Sequence, residues 1–219
     1  MEIKNRGSGK IFENPVLEFF TKSVPQVSVA IYATIIISFC ILAYQTKVVE
    51  QGWVAASIFV SAVLSWTFFE YLLHRYPFHL DVYFPESKVA GKIAYTLHGI
   101  HHEYPRDRSR VIMPPIPGVL IASGFFGLFY LVMGSYAYIF LPGFLTGYLL
   151  YAFIHYGTHK FTPPKLLKPL WRHHALHHYK YPDKAFGIST QFWDRIFGTM
   201  PPAKTSRKYD NNTFQEGVD

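Results

Sequence analysis

Residues 171–199 read WRHHALHHYKYPDKAFGISTQFWDRIFGT and hold four of the protein's eleven histidines, His173, His174, His177 and His178. The remaining seven fall in three equally short windows: His74 with His79, His98 with His101 and His102, and His155 with His159. Residues three and four apart share a face of a helix. On that spacing His98 lies with His101 and His102, His155 with His159, and His174 with His177 and His178, each set presenting its imidazoles in one direction. Crowded imidazoles repel one another when protonated, whereas neutral imidazole is the commonest metal ligand. One such histidine would be read as a structural residue; four clusters at ligand spacing point to a polynuclear metal centre.

The composition around those clusters is that of a membrane protein. Half of the 219 residues are hydrophobic, 18% are aromatic and only 16% are charged, and the apolar residues come in long runs. The single cysteine, Cys40, lies in one of these runs, which leaves neither a disulfide framework nor a thiolate metal site. Any metal must therefore rely on histidine. Residues 25–44 carry no charge, and at about 1.5 Å per residue that length crosses a hydrocarbon core of about 30 Å. Similar runs at 53–72, 116–133 and 136–154 give four expected spans, of which the second and fourth lead directly into His74 and His155. His74 and His79 would point about 140° apart on an unbroken helix, so a break at Pro77 is needed to bring His79 round. Pro142, Gly143 and Gly147 imply a kink in the fourth helix, which neighbouring helices in a membrane tolerate.

Residues 1–24 mix Lys4, Arg6, Lys10, Glu13, Glu18 and Lys22 with short apolar groups and lack the features of a signal peptide. They read as an interfacial or loosely ordered N-terminal segment, followed by a membrane domain at 25–200 and a polar tail at 201–219. Short connectors after the first and third spans put residues 73–115 and 155–219 on one side, so that all four clusters meet at one membrane face. Of the 21 Lys and Arg residues only Lys47 falls in the loops of the far side. The positive-inside rule then makes the histidine side, with both termini, cytoplasmic. The net charge of +7 reflects a basic face against anionic headgroups and needs no nucleic acid.

The boxes HRYPFH at 74–79, LHGIHHEYPRDRSRVIMPPIP at 97–117, HYGTH at 155–159, and HHALHH with FGISTQFWDRIFGT across 173–199, set on four apolar spans, resemble the fatty acid hydroxylase and sterol desaturase superfamily of membrane di-metal oxygenases. The fatty acid 2-hydroxylases are the nearest match, over roughly residues 50–200. The resemblance implies an all-α integral membrane protein, four transmembrane helices capped by a cytoplasmic helical domain, in a bacterial inner membrane or the endoplasmic reticulum. It implies two iron ions that activate dioxygen and place one oxygen atom at carbon 2 of a long-chain acyl lipid, free or within a sphingolipid. The ligands it carries over are His74, His79, His98, His101, His102, His155, His159, His174, His177 and His178, with His173 outside the set and no catalytic residue beyond the metal centre. Many relatives have an aspartate where this chain has Ala152, three residues before His155. Some relatives also carry an N-terminal b-type cytochrome domain; residues 1–24 contain none, which implies a separate electron donor, a b-type cytochrome, a ferredoxin or a reductase.

Physical chemistry agrees with iron, because an unactivated C–H bond is not broken by acid–base chemistry near neutral pH and imidazole suits iron. Zinc would also bind, without redox activity. The polar end of the substrate is expected near Tyr95, Tyr104, Arg106, Arg108 and Arg110, where the arginines contact either substrate or lipid headgroups. Desaturation, or hydroxylation of a sterol or carotenoid, is an alternative on the same scaffold, to be separated by product analysis. A metal transporter is a remote one, since transporters place polar ligands near the bilayer midplane and these spans contain no histidine. A structural membrane protein would have no use for ten convergent ligands.

Overall fold

The computed structural model describes residues 2–202, so most of the tail read at 201–219 lies outside the described residues. The described residues are helical with turns and contain no strand. Three stretches are long and apolar enough to cross a bilayer: Pro25–Gln45, Gly52–Arg75 and Arg108–Lys160. The last holds two helices, Pro115–Met133 (α7) and Ala137–Lys160 (α8), joined by a 3-10 turn at Gly134–Tyr136. Gly134 takes the left-handed φ of +59° at this reversal, a conformation open to glycine at little steric cost. The chain divides into two compact units, one of residues 8–69 and 107–153, the other of residues 2–7, 70–106 and 154–202.

In the first unit α1 spans Pro15–Phe20, α2 Pro25–Gln45, and α3 begins at Gly52 and runs to Arg75. The two glycines read as part of a kink serve close packing. A Cβ on Gly143 would lie 2.4 Å from the Phe59 carbonyl oxygen, and one on Gly147 would lie 2.5 Å from Cβ of Trp66. Small residues let two helix backbones approach where lipid gives no hydrophobic drive to association. Trp66 then meets Phe144 and Tyr148 at ring separations of 4.9 and 5.3 Å.

Of the two readings of the N-terminal segment, interfacial or loosely ordered, the structure departs from the second. Asn14 caps α1, its side chain accepting from the Val16 and Leu17 N–H groups at 2.9 and 3.2 Å. Glu18 turns inward and accepts from the N–H groups of Ile11 and Phe12 at 2.9 and 3.0 Å and from Arg110. Arg110, buried, also donates to the Gly9 carbonyl at 2.8 Å and to the Thr21 hydroxyl at 2.7 Å. This corrects the expectation for Arg110: it clamps the N-terminal segment, and its guanidinium is unavailable to substrate or headgroups.

In the second unit α3 ends at Arg75, two residues before Pro77, and α4 spans Leu80–Tyr83 with His79 as its N-cap. α5 (Lys88–Ala94), a π-helical turn at Tyr95–Gly99 and α6 (Ile100–Glu103) form one helical run that carries His98, His101 and His102. α9 spans Lys168–Tyr179 and α10 Phe192–Ile196. Gly157, between the two histidines of HYGTH, faces the Trp171 ring so closely that a Cβ would lie 3.0 Å from it. That approach brings α9 against the end of α8.

Candidate metal centre

The ten histidines form two groups of five. His74, His79, His98, His102 and His177 make one, and His101, His155, His159, His174 and His178 the other, the potential ligand atoms of each lying within 4.8 Å of one another. All are buried except His159, which is half-buried. The expectation that each box faces one way holds for His155 with His159 and is corrected for the other two sets. In both H-x-x-H-H boxes the histidines four apart, His98 with His102 and His174 with His178, share a group, while the one between, His101 or His177, serves the other. One residue corresponds to about 100° of helix rotation, so adjacent histidines cannot converge on one point, and the two helical runs exchange one histidine each. Where the groups adjoin, the rings of His102 and His178 stack at 4.1 Å.

The distances within a group favour coordination. In the first, Nε2 of His74 lies 3.0 Å from Nε2 of His98, and Nε2 of His177 lies 3.1 Å from those of His79 and His102. In the second, Nε2 of His101 lies 3.0 Å from that of His155 and 3.1 Å from that of His159, and the His159 to His174 separation is 2.8 Å. Ligands at right angles around an ion with metal–nitrogen bonds of about 2.1 Å are separated by about 3.0 Å, and tetrahedral ones by about 3.4 Å. Five donors at the shorter spacing fit an ion of coordination number above four. Nε2 of His178 is buried with no hydrogen-bond partner among the described residues, which a bound ion would remedy.

Protonation favours the same use. Burial pushes His79 down to about 4, and it drives His98, His101, His102, His174, His177 and His178 well below the ordinary range, with neighbouring imidazoles adding to the effect on these six. At neutral pH these rings are neutral and their lone pairs are free to bind. Two are fixed in the required tautomer: Nδ1–H of His74 donates to the Phe186 carbonyl at 2.6 Å and Nδ1–H of His177 to the Lys184 carbonyl at 2.7 Å, leaving Nε2 unprotonated.

His173 belongs to neither group. It is buried, and its Nε2–H donates to Asp194 Oδ2 at 3.0 Å. Burial alone would raise the Asp194 carboxyl, but the His173 and Thr199 contacts and the Gly187 N–H hold it below the usual carboxylate range. Asp194 and Glu70 were not singled out from the sequence as site residues. Their signal was there, since each is a carboxylate in an aromatic run, FFEYLL and QFWDRIF, where a charge is retained only if it has partners.

Residues 59–199 match the model of the family described as fatty acid hydroxylase. The chain belongs to the fatty acid hydroxylase family. It is 38% identical over 160 residues to the ceramide very long chain fatty acid hydroxylase SCS7 of Saccharomyces cerevisiae, covering 71% of this chain and 42% of that protein. It is 31% identical over 211 residues to the dihydroceramide fatty acyl 2-hydroxylase FAH1 of Arabidopsis thaliana, covering 94% and 86%. To the fatty acid 2-hydroxylase of Homo sapiens it is 36% identical over 162 residues, covering 69% and 41%. It thus spans less than half of the yeast and human relatives and most of the plant one. A solved structure of full-length Scs7p, with only the hydroxylase domain visible, matches with a TM-score of 0.80 at 33% identity over 90% of this chain and 74% of that one. These hydroxylases are oxidoreductases, and with its apolar helices this member of the family is a membrane protein.

Proposed function

We propose that this hydroxylase family member places a hydroxyl group at carbon 2 of a long-chain fatty acyl group, free or within a ceramide, using dioxygen and a pair of iron ions held by its ten clustered histidines. The observation that carries the reading is the pair of adjacent five-histidine groups in a chain whose relatives include proteins named dihydroceramide fatty acyl 2-hydroxylase and fatty acid 2-hydroxylase. Iron supplies the redox chemistry that an unactivated C–H bond requires, whereas zinc in the same ligands would give an inactive protein. In the overall balance one oxygen atom enters the C–H bond, the other leaves as water, and two electrons and two protons come from a separate donor.

The protein's own part is to bind, orient and seal. Neutral imidazoles from four segments supply the donors, the carbonyls of Lys184 and Phe186 fix two of them, and the burial of nine of the ten excludes bulk water. His74 and His155 lie near the ends of α3 and α8, beyond most of their apolar length, so a membrane lipid reaches the metals most easily with its polar end. Carbon 2 is the methylene nearest that end. We read α2, α3, α7 and α8 as four spans within a domain at residues 25–200, with the histidines and both termini cytoplasmic, because of the distribution of Lys and Arg. Mass spectrometry of lipids from a host expressing the protein should show 2-hydroxy acyl chains that a His101→Ala host lacks. Products hydroxylated elsewhere, or unsaturated, would refute the assignment while leaving the metal centre intact.

A further inference from the structure

Two peptide groups join the buried carboxylate of Asp194 to two histidines of a single group. Phe186 C=O and Gly187 N–H belong to one planar trans peptide; the carbonyl accepts from His74 at 2.6 Å and the N–H donates to Asp194 Oδ2 at 2.7 Å. Lys184 C=O and Ala185 N–H belong to another. That carbonyl accepts from His177 at 2.7 Å, and the Ala185 N–H donates at 2.8 Å to the carbonyl of Thr199. Thr199 is itself tied to Asp194, its hydroxyl donating to Oδ1 at 2.7 Å and its N–H to the Asp194 carbonyl at 2.9 Å. A rigid plane cannot turn one end without the other, so the position of the carboxylate fixes where both carbonyls point.

The segment has little latitude of its own. Four successive N–H groups are taken up by two carboxylates: Phe186 and Gly187 by Asp194, Ile188 at 2.6 Å and Ser189 at 2.8 Å by Glu70 Oε1. The Ser189 hydroxyl also donates to Glu70. In a buried irregular segment these N–H groups have no ladder to join, and the carboxyl oxygens satisfy them. Asp194 is fully buried and Glu70 is 3% exposed. A Cβ at Gly187 would lie 2.1 Å from the Thr190 carbonyl oxygen and 2.8 Å from Asp194 Oδ2. Ala185 sits at a left-handed φ of +61°, a conformation a non-glycine residue keeps only when its surroundings impose it. The ring of Phe186 lies 5.7 Å from His74, 5.6 Å from His79 and 5.6 Å from His177, three members of the same group.

We infer that Asp194 and Glu70 are positioning residues for one metal ion of the two, acting through the backbone of residues 184–189 on His74 and His177. The inference rests on reading the two histidine groups as metal sites, and its test separates the two ideas. Wild-type protein in detergent, loaded with iron or with zinc, is titrated with EDTA while retained metal is counted by elemental analysis, and Asp194→Asn and Glu70→Gln are treated alike. Replacing a partner of this kind costs about 10–100-fold in metal affinity. The expected result is a two-step loss in each variant, one ion leaving at about 10–100-fold lower chelator concentration and the other leaving as in wild type. His74→Ala should remove that same ion at once. Thr199→Val, which removes the hydroxyl that donates to Asp194 and also meets the Tyr71 hydroxyl at 3.0 Å, is the milder variant should the carboxylate changes prevent folding, and it should weaken the same ion. Folded variants that hold both ions as wild type does, or lose both together, overturn the inference. Wild-type protein that takes up no metal removes the metal-site reading itself.

Discussion

His177 and His178 are neighbours in sequence and serve different groups, so their removal should have separable consequences. His177→Gln should leave the protein with about one metal ion and no turnover, because an amide does not replace an imidazole as a ligand. His173→Gln should keep both ions and most activity, since the amide N–H can still donate to Asp194 in place of Nε2–H. Metal analysis of the two purified variants checks this, and loss of an ion from His173→Gln would make His173 part of the metal centre, as a ligand or through Asp194. The buried rings also predict a pH dependence for metal-free protein. His79 is held at about 4 against an ordinary value of about 6.5, and six others are lower than ordinary too. Between those values the unfolded chain binds protons that the folded chain excludes, so stability rises with pH and is lost as pH falls from about 6.5 towards 4. Thermal unfolding of chelator-treated protein across that range should show the midpoint falling, and a flat profile would mean that the rings are not shielded as described. Spacing made the four histidine clusters visible in the sequence, and the family resemblance set His173 apart from the other ten. The division of those ten between two groups was not visible, because it depends on which helices face each other, and neither was the bracing by Asp194 and Glu70, whose contacts span up to 119 residues.

At the scale of the helices, the uncharged runs fixed the long elements to within a few residues at most ends: the runs read at 25–44 and 116–133 are α2 at Pro25–Gln45 and α7 at Pro115–Met133. A hydrocarbon-length run without charge has few other conformations that satisfy its backbone in lipid. The short N-terminal helix was hidden because its order comes from a distant partner. Glu18 and Arg110 are 92 residues apart in the chain, and the buried pair ties residues 9–21 to the segment before α7. Removing one member of a buried pair leaves the other charge uncompensated. Glu18→Ala should therefore destabilise the protein by about 3 kcal/mol, seen as a lower unfolding midpoint in detergent, with metal content unchanged while the protein remains folded. The glycines of α8 carry a similar load through space. Gly143→Ala puts a methyl group 2.4 Å from a backbone oxygen of α3, which cannot retreat as a flexible side chain would, and overpacking of this kind costs about 1–3 kcal/mol.

The charge of the whole molecule bears on where the proposed electron donor would dock. Twenty-one Lys and Arg residues stand against fourteen Asp and Glu, and Lys160, Lys165, Lys168 and Lys180 are exposed around α9, the helix that carries histidines of both groups, with Arg172 half-buried among them. Two of these ammonium groups lie over aromatic rings, Lys160 at 5.3 Å from the Tyr156 centroid and Lys180 at 5.4 Å from that of Tyr181, which holds the charge close to the helices that bear the ligands. A small acidic redox protein approaching this face would be steered by the field over a range set by ionic strength, since screening lengths shrink to about 8 Å at physiological salt. Turnover with such a donor should therefore fall as salt is raised, mainly through the association rate. Charge reversal at Lys165 and Lys168, which touch no histidine ligand, should weaken the response to donor concentration while leaving metal content and turnover with a small chemical reductant intact. Donor-dependent rates indifferent to both salt and charge reversal would move the docking site away from α9 and its flanking lysines.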